Sequence, residues 1–337
     1  VTHICMSPGP LYEAIGKEKA SSVAFAEGFA ASDLIAGDVV MNTFSYHLVP
    51  AGLMVDEALC NMGATVVPTG VGNTDLQVKI MMDLRANGYV GTPSFLMTLL
   101  KRAEELGLPR QALPMRKALF SAEPLPPSLR KSFEEEYSIH TTNAYATAEL
   151  GLLGYDCQAR TGWHVPESVI VEITDPATGE PLGPGQVGEV TVTAFDLTFP
   201  LIRFAVGDLS AWAPGDCPCG RASSRLVGWL GRVGDAVKVR GMFVHPTQLA
   251  EAMQRTPHVV AYQAVITRSA VRDEFTLKVE LSDDMPSPEK NLHTSLLTAI
   301  PEAVQALCRV SVDKVAVVER GSISADAKKI VDERKWE

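Results

Sequence analysis

Two glycine-containing turns between residues 200 and 246 constrain this chain more than any other feature. An apolar, strand-like run over residues 200–206 ends in Gly207-Asp208, and further on Gly231-Arg232 is followed by alternating apolar and basic residues. A carboxylate directly after a glycine can approach a ribose closely and accept both of its hydroxyl hydrogens, and a nearby arginine offers forked donors to ribose or phosphate oxygens. The pair of turns therefore indicates the edge of a nucleotide pocket.

Length and composition fit a folded protein of two domains or more. The chain has 337 residues, of which 46% are hydrophobic, so it can bury a large core. The formal net charge of −10 argues against a broad nucleic-acid surface and against acidic membranes, so no nucleic-acid or membrane partner is expected. No apolar run is long enough to span a membrane, and residues 1–5 lack the features of a secretory signal, which predicts a cytoplasmic protein.

The first half of the chain alternates between helical and strand-like patterns. Apolar residues recur at helical spacing, and short apolar runs of strand type separate them, at residues 89–91, 117–120 and 139–143. This alternation predicts an α/β fold with a mostly parallel sheet, flanking helices and ligands at the carboxyl ends of the strands. After His164, strand-like segments indicate a small β module, and the residues beyond Asp235 indicate a small α+β domain.

Four further blocks follow one another in a recognisable order. They are Thr92-Pro93-Ser94-Phe95, Ser121-Ala122-Glu123-Pro124-Leu125, the segment from Asn143 to Glu149, and a lysine-bearing tail from Ser322 to Arg334. Together with the two turns, these blocks resemble the adenylate-forming superfamily, specifically the phenylacetate-CoA ligase-like enzymes. The resemblance implies an enzyme that activates a carboxylic acid with ATP and passes it to a thiol.

The resemblance also implies a domain plan. Residues 1–155 are expected to form part of the α/β adenylate-forming core, residues 156–233 a β module that completes it, and residues 235–337 a mobile α+β lid. The hinge is expected near Gly234, because glycine has the conformational freedom that a domain rotation requires. The chain is also expected to have a shortened N-terminal region.

The same resemblance assigns the nucleotide contacts. Tyr145 is expected to stack on adenine, Asp208 and Arg232 to hold the ribose, and Glu149 to act in catalysis with Mg²⁺, which prefers hard oxygen ligands. The adenine edge and the neighbouring phosphate contacts are assigned to Ser121, Ala122, Glu123, Ala146 and Thr147. ATP and AMP are thus the expected nucleotides, and coenzyme A the expected thiol donor.

The catalytic lysine of the family is expected in the tail. Matching the tail to the family leaves Lys328 or Lys329 at that place, and we choose Lys328 as catalytic. The register is uncertain because Asp326-Ala327 stands where a glycine-containing turn is usual. The alternative interpretation of two lysines near a carboxyl terminus is a solvated charged surface.

Four metal-binding side chains suggest a structural zinc site. Cys157, His164, Cys217 and Cys219 together would make a Cys3His set suited to tetrahedral Zn²⁺. Similar positions occur in the phenylacetate-CoA ligase group. The alternative is that Cys157 is a small buried apolar residue and that the other two cysteines lie in an exposed loop. The remaining cysteines, Cys5, Cys60 and Cys308, are interpreted as core residues.

The phosphate-binding loop departs from the family pattern. It falls on residues 6–13, where Pro8 and Pro10 remove two backbone donors and Glu13 adds a charge that opposes phosphate. Ala148 also stands where a serine or threonine that contacts phosphate is usual. ATP turnover is therefore an open question at this stage.

The acid-binding pocket is expected around residues 44–52 and the end of a buried strand. We assign Tyr46, His47 and Gly91 to the substrate, and the aromatic rings nearby suit an aryl or arylacetic acid. His47 can meet the carboxylate or can be an ordinary residue at a helix start. A homodimer is a further expectation.

Three hypotheses follow. The first is an ATP-dependent acid–CoA ligase that forms an acyl-adenylate and then a thioester. The second keeps the adenylate but transfers its acyl group to a carrier protein or an amine. The third is a catalytically weakened relative that binds a nucleotide or acyl-CoA, and the altered phosphate loop favours it.

Overall fold

The structure is a computed structural model that describes residues 1–7, 11–16, 20–176, 178–233, 237–240, 242–244, 246–269, 272–282, 290–324 and 327–335. The chain divides into two compact units, Val1–Val233 and Gly234–Glu337. The predicted hinge residue, Gly234, lies outside the described residues. Among the described helices, none has the length and apolar character needed to cross a membrane.

The first unit contains most of the strands. They are β1 (His3–Ser7), β2 (Leu11–Ile15), β3 (Val39–Asn42), β4 (Thr65–Val67), β5 (Gly88–Gly91), β6 (Lys117–Phe120), β7 (His140–Thr147), β8 (Gly151–Tyr155), β9 (Trp163–His164), β10 (Val169–Thr174), β11 (Gly188–Ala194), β12 (Leu201–Ser210), β13 (Arg225–Leu226) and β14 (Gly231–Arg232). Its helices are α1 (Ala20–Ala31), α2 (Ala51–Met62), α3 (Thr74–Asp83), α4 (Pro93–Glu105) and α5 (Pro127–Lys131), with short helical turns at Arg110–Ala112 and Ser132–Glu136.

A large sheet forms the centre of this unit, with strand order β13-β9-β8-β7-β6-β5-β3-β4. The strands from β4 to β7 run parallel, and β8, β9 and β13 extend the sheet in antiparallel fashion. Its central strands are short apolar runs, as expected where helices cover both faces of a parallel sheet. On one face Val90 and Leu119 pack with residues of α1 and α2, and the rings of Tyr89, Phe120 and Phe133 form a continuous aromatic cluster.

The carboxyl ends of four parallel strands meet at one edge of this sheet. Asn42 at the end of β3 pairs with Val90 of β5, Gly91 pairs with Phe120 of β6, and Phe120 pairs with Asn143 of β7. The loops that follow these strands therefore lie side by side. We call this set of loops, after β3, β5, β6 and β7, the carboxyl edge.

A second, smaller sheet joins β10, β11, β12 and β14 in antiparallel order. Its inward-facing apolar side chains alternate with outward-facing ones, and Ile173, Val190 and Val192 are fully buried in its core. Residues 156–233 thus divide between two sheets, because β9 and β13 pair with the large sheet and the other strands form the small one.

The described residues of the second unit form six strands and two helices. The unit contains β15 (Val237–Val239), β16 (Met242–Val244), α6 (Pro246–Gln254), β17 (Val259–Ser269), β18 (Arg272–Leu281), α7 (Lys290–Cys308), β19 (Lys314–Val317) and β20 (Ile330–Asp332). The order β19-β18-β17-β20 forms its main sheet, and β15 pairs with β16. Phe275, Leu277 and Ile300 lie in its core.

The predicted α/β class, with a mostly parallel sheet, flanking helices and a small C-terminal α+β unit, is confirmed. Two local expectations need correction. The strand predicted for residues 139–143 continues to Thr147, because antiparallel pairing with β8 sustains it. Cys60 is exposed rather than in the core, since it lies on α2 away from the buried residues Val55, Ala58 and Leu59.

Gly91 is fixed by close packing. A Cβ at this position would overlap the Thr43 hydroxyl and lie 2.5 Å from the Tyr89 hydroxyl oxygen. We expect Gly91→Ala to lower the free energy of unfolding by about 1–3 kcal/mol, because the two buried hydroxyls must move apart. Urea denaturation measures this. Gly183→Ala is the control, since its Cβ would meet only the end of the Gln186 side chain, at 3.5 Å; an equal loss in both variants would contradict the packing argument.

Candidate active site

The carboxyl edge brings several predicted site residues next to one another. The backbone N–H of Ser121 donates to the carbonyl of Gly91 over 3.1 Å, which joins the loops after β5 and β6. Tyr145 lies two residues beyond Asn143, the pairing partner of Phe120. In open α/β sheets such an edge, outside the carboxyl ends of the strands, is where ligands bind.

The loop after β6 is held in an unusual backbone conformation. Ala122 has φ +69°, in the left-handed region that costs a residue with a Cβ about 1 kcal/mol. The loop is also tied to the start of α4, because the backbone N–H of Ser94 donates to Oε2 of Glu123 over 3.4 Å. Strained backbone of this kind concentrates at functional sites, where surrounding structure maintains it.

Tyr145 is positioned by a hydrogen bond and a ring stack. Its hydroxyl donates to Oδ2 of Asp208 over 2.7 Å, and its ring stacks on Trp163 with centroids 5.3 Å apart and an interplanar angle of 16°. Burial, with the charge of Asp208, raises the pKa of Tyr145 well above its usual value. The phenol therefore stays protonated and remains a donor to Asp208 at neutral pH.

Asp208 and Arg232 are direct neighbours on paired strands. β12 and β14 place them opposite each other, and Nε of Arg232 lies 3.7 Å from Oδ1 of Asp208. The indole N–H of Trp229 donates to the same oxygen over 3.1 Å. A carboxylate offers about four lone pairs, so hydrogen bonds from Tyr145 and Trp229 leave acceptor capacity for two further hydroxyls.

Gly207 makes the Arg232 position possible. Its φ of +77° is unfavourable for other residues, and a Cβ there would lie 2.6 Å from a guanidinium nitrogen of Arg232. The same guanidinium donates to the carbonyl of Val206 over 3.0 Å. Gly207 thus leaves room for the Arg232 guanidinium, in addition to allowing close approach to the Asp208 carboxylate.

Trp163 and Trp229 were not predicted from the sequence as site residues. The signal that was available for Trp229 is chemical: an indole N–H is a hydrogen-bond donor, and Asp208 is the acidic residue of the adjacent turn. Trp163 lies in β9, which pairs with β8, the strand beside Tyr145. Only the sheet pairing reveals that contact.

Glu149 lies in the turn between β7 and β8, near Tyr145. Thr147 closes this turn, since its hydroxyl accepts from the backbone N–H of Leu150 over 3.3 Å. Glu149 is half-buried, as are Ala146 and Ala148. The negative charge of Glu149 contributes to the raised pKa values of Tyr145 and Glu13.

The loop after β3 carries the predicted acid-binding residues in different environments. The hydroxyl of Tyr46 donates to Oδ2 of Asp56 over 2.7 Å and accepts from the Asn42 amide over 2.8 Å. Burial raises the pKa of Tyr46, and Asp56 adds to the shift. His47 is exposed. Tyr46 is thus a fixed part of the loop, whereas the His47 side chain is accessible to solvent.

In the second unit, a buried carboxylate holds the turn that precedes the tail lysines. Glu280 of β18 accepts from the backbone N–H of Gly321 over 2.9 Å and from that of Ile323 over 2.6 Å. The hydroxyl of Ser322 also donates to it, over 3.4 Å. These backbone hydrogen bonds lower the pKa of Glu280.

The two candidate lysines have different surroundings. Nζ of Lys329 lies 5.0 Å from the ring centroid of Tyr262, a cation–π contact, and the lysine is half-buried. Lys328 is exposed, and its carbonyl accepts from the Gln263 amide over 3.0 Å. The following residue, Ile330, is buried in the core of the unit. Both lysines belong to a backbone fixed against β17.

The four predicted metal ligands converge in the first unit. The ligand atoms of Cys157, His164, Cys217 and Cys219 all lie within 4.8 Å of one another. Sγ of Cys157 and Sγ of Cys217 are 3.6 Å apart, and Sγ of Cys219 lies 3.4 Å from Nε2 of His164. Zn–S and Zn–N bonds of about 2.3 and 2.1 Å in a tetrahedron give ligand separations of about 3.4–3.8 Å.

The surroundings of this cluster suit metal ligation. Nδ1 of His164 is hydrogen-bonded to the Ser223 hydroxyl over 2.9 Å, so Nε2 is the ring nitrogen that faces the cysteines. Burial alone would raise the pKa of the Cys219 thiol, but the Arg221 backbone N–H and the Cys217 thiol outweigh it and lower the pKa to about 7. The donor set and spacing therefore fit Zn²⁺.

These features define a class of protein. It is an α/β protein in which Tyr145, Asp208 and Arg232 cluster beside a mostly parallel sheet, followed in the chain by a small α+β unit. Residues 19–196 match the sequence model described as AMP-binding enzyme, and residues 241–334 match that of the AMP-binding enzyme C-terminal domain. Because the first match covers more than half of the chain, the chain belongs to the AMP-binding enzyme family.

Relatives of known name support the same family. The phenylacetate-coenzyme A ligase of Thermus thermophilus is 34% identical over 264 residues, 77% of this chain and 59% of its own length. The phenylacetate-coenzyme A ligase of Aromatoleum evansii is 28% identical over 323 residues, 93% of this chain and 72% of its own length. The chain thus spans about three fifths of the length of the Thermus enzyme.

A solved structure has a similar fold. The crystal structure of 2-hydroxyisobutyryl-CoA ligase in complex with 2-HIB-AMP and CoA aligns with a TM-score of 0.90 and 25% identity. The alignment covers 99% of this chain and 74% of that one. It supports the fold assignment across both units.

The Tyr145–Asp208 hydrogen bond generates a stability prediction. We expect Tyr145→Phe to lower the free energy of unfolding by about 1–3 kcal/mol, because one oxygen of a buried carboxylate loses its donor. Guanidinium denaturation measures the loss. Tyr12→Phe is the control, because Tyr12 is 69% exposed and should change stability by less than about 0.5 kcal/mol. Unchanged stability of Tyr145→Phe would show that this donor is not needed.

Proposed function

We propose that this protein is an AMP-forming acid–CoA ligase. In the first step an oxygen of the carboxylic acid bonds to the α-phosphorus of ATP and pyrophosphate leaves, giving an acyl-adenylate. In the second step the thiol of coenzyme A, on losing its proton, bonds to the acyl carbon and AMP leaves. The observation that carries this proposal is the Tyr145–Asp208–Arg232 cluster beside the carboxyl edge, in a chain of the AMP-binding enzyme family.

The nucleotide is assigned to the loops of the carboxyl edge and to β12. Asp208 has acceptor capacity for two ribose hydroxyls, and Arg232 supplies donors beside it. Tyr145, with its ring already held by Trp163, offers an aromatic surface for adenine. The adenine edge and phosphate side are assigned to Ser121, Ala122, Glu123, Ala146 and Thr147.

Charge neutralisation is assigned to a magnesium ion and to a lysine. Glu149 would hold Mg²⁺, which would neutralise the phosphate charge that develops in the transfer. Lys328 is the better candidate for the lysine, because Lys329 packs over the Tyr262 ring while Lys328 is exposed. Glu280 supports this assignment, since its hydrogen bonds fix the turn at Gly321 that precedes the lysines.

The acid is proposed to be an aryl or arylacetic acid. Gly91 ends β5, and Tyr46 and His47 lie in the loop after β3, beside the assigned nucleotide site. Gly91 leaves no volume for a side chain, and the exposed His47 can donate to a carboxylate. The named relatives in Thermus and Aromatoleum are phenylacetate-coenzyme A ligases, which supports a ring-bearing acid.

A structural zinc ion is proposed for the Cys157, His164, Cys217 and Cys219 cluster. The buried Arg225 donates to the carbonyls of Thr161, Pro214 and Gly215, so the loops that carry the ligands are also fixed from a second side. A four-ligand protein site leaves no open coordination position, which is typical of a structural rather than a catalytic metal.

The adenylation step is tested by acid-dependent pyrophosphate release from ATP and Mg²⁺, over a panel of arylacetic, aryl and short aliphatic acids. We expect Lys328→Ala to lower the rate by a factor on the order of 10²–10³, because one preorganised cation is lost from the transition state. Lys329→Ala is the matched control and should retain most of the activity.

The opposite lysine pattern would refute the choice of Lys328. Nucleotide binding without pyrophosphate release for any acid would favour the weakened, ligand-binding relative, which the prolines at positions 8 and 10 already favour. Release with all acids but no CoA thioester would favour a carrier protein or an amine as the acceptor.

The zinc site is tested by metal analysis and thermal unfolding. We expect the purified protein to contain about one zinc per chain, and Cys219→Ser to lose the metal and to unfold at a lower temperature, because a structural zinc contributes directly to folding. Cys60→Ser is the control, since Cys60 is exposed and outside the cluster. A Cys219→Ser protein with full zinc content would overturn the assignment.

A further inference from the structure

Strand β9 connects two groups of side chains in the first unit. One group is the metal-ligand cluster, which consists of Cys157, His164, Cys217 and Cys219. His164 belongs to β9, and the residue before it, Trp163, stacks on Tyr145 with ring centroids 5.3 Å apart. Because neighbouring side chains of a strand point to opposite faces, β9 carries a metal ligand on one face and the support for Tyr145 on the other.

The chain from Cys217 to Trp229 makes a second connection between the two groups. It begins with the two cysteines of the cluster, and its Ser223 hydroxyl is hydrogen-bonded to Nδ1 of His164 over 2.9 Å. It then forms β13, which pairs with β9. Shortly after β13, the indole N–H of Trp229 donates to Oδ1 of Asp208 over 3.1 Å. Both tryptophans of the candidate site therefore lie on chain that the metal-ligand cluster holds.

The backbone pairing around these tryptophans is sparse. β9 and β13 have two residues each, and β9 pairs with β8 at a single position, Tyr155 with His164. Arg225 adds hydrogen bonds to carbonyls of the adjacent loops. Thiols that bind no metal form only weak hydrogen bonds. Metal bonds to the four ligands would therefore add a constraint that the short pairing lacks.

We propose that the metal-ligand cluster, by binding zinc, positions Trp163 and Trp229 and thereby raises the affinity of the protein for the nucleotide. Trp163 would hold the Tyr145 ring that is assigned to adenine, and Trp229 would hold the Asp208 carboxylate that is assigned to the ribose. The inference deepens the proposed function and rests on it, because that proposal supplies both the nucleotide site and the zinc. The four ligands act as positioning residues, through the tryptophans and without touching the nucleotide.

The test is AMP binding with and without the metal, measured by isothermal titration calorimetry. The samples are the zinc-loaded parent, the parent after chelation and Cys219→Ser, each checked for folding by circular dichroism. We expect chelation and Cys219→Ser to weaken AMP binding by about tenfold, a common size for coupling between two sites. Added zinc should restore the chelated parent but not Cys219→Ser. Equal AMP affinity of the parent and Cys219→Ser would overturn the proposal.

Asp38→Asn separates positioning from a general loss of stability. Asp38 is 5% exposed and pairs with Lys117 over 2.8 Å, at the amino ends of β3 and β6 and away from the carboxyl edge. This variant should unfold at a lower temperature and bind AMP as the parent does. AMP binding weakened as much as in Cys219→Ser would overturn the proposal, and so would a chelated parent that unfolds outright, since either result would show a general structural role.

Reciprocity gives a second measurement, which replaces Cys219→Ser if that variant does not fold. Ser223→Ala keeps all four ligands but removes the hydroxyl bonded to His164, so its zinc affinity should fall by a factor on the order of 10–100. Because linkage is mutual, saturating AMP should raise the zinc affinity of Ser223→Ala by the factor by which zinc raises AMP affinity. Zinc affinity that AMP leaves unchanged would overturn the proposal. A zinc-loaded parent that binds no AMP would overturn the nucleotide assignment as well.

Discussion

The hydrogen bond from Tyr145 to Asp208 is the interaction on which the candidate site depends. Tyr145 belongs to β7 of the large sheet and Asp208 to β12 of the small one, so this buried hydrogen bond is one of the contacts that join the two sheets. Trp229 and Arg232 meet the other carboxylate oxygen. Because the carboxylate is oriented by groups from separate elements, its free lone pairs have a fixed direction. A ribose bound as proposed would meet acceptors that are already oriented, which is the condition for electrostatic preorganisation.

Much of the fold could be predicted from the sequence, because the relevant signals are local. The apolar runs at Tyr89 and Leu119 predict buried parallel strands, and the pattern around them predicts the flanking helices. The antiparallel extension by β8 and β9 was not found in this way, since apolar runs do not show that β8 turns back along β7 and pairs on its other side with β9. Cys60 shows the same limit, because apolar character does not indicate which side of a helix is buried.

The residues of the candidate site were likewise only partly predictable from the sequence. Motifs point to Tyr145, Asp208 and Arg232, whose types and order carry the chemistry, and the structure brings these three together. Trp163 and Trp229 carry no motif, and their contacts with Tyr145 and Asp208 appear only in the folded chain. The ambiguity between Lys328 and Lys329 likewise has no solution in the sequence, because both are lysines in one short run. The ring of Tyr262, distant from both in the sequence, gives the two side chains different surroundings.

Charge balance connects the altered phosphate loop with the rest of the proposed mechanism. The chain carries a net charge of −10, so a polyphosphate must be neutralised locally. Pro8 and Pro10 contribute no backbone N–H, Arg232 already faces Asp208, and Lys329 lies over Tyr262. In the proposed mechanism the neutralising groups are Lys328 and the divalent cation assigned to Glu149. A cation held by Glu149 would supply part of the positive charge that the phosphate loop, with its two prolines, does not supply through backbone donors.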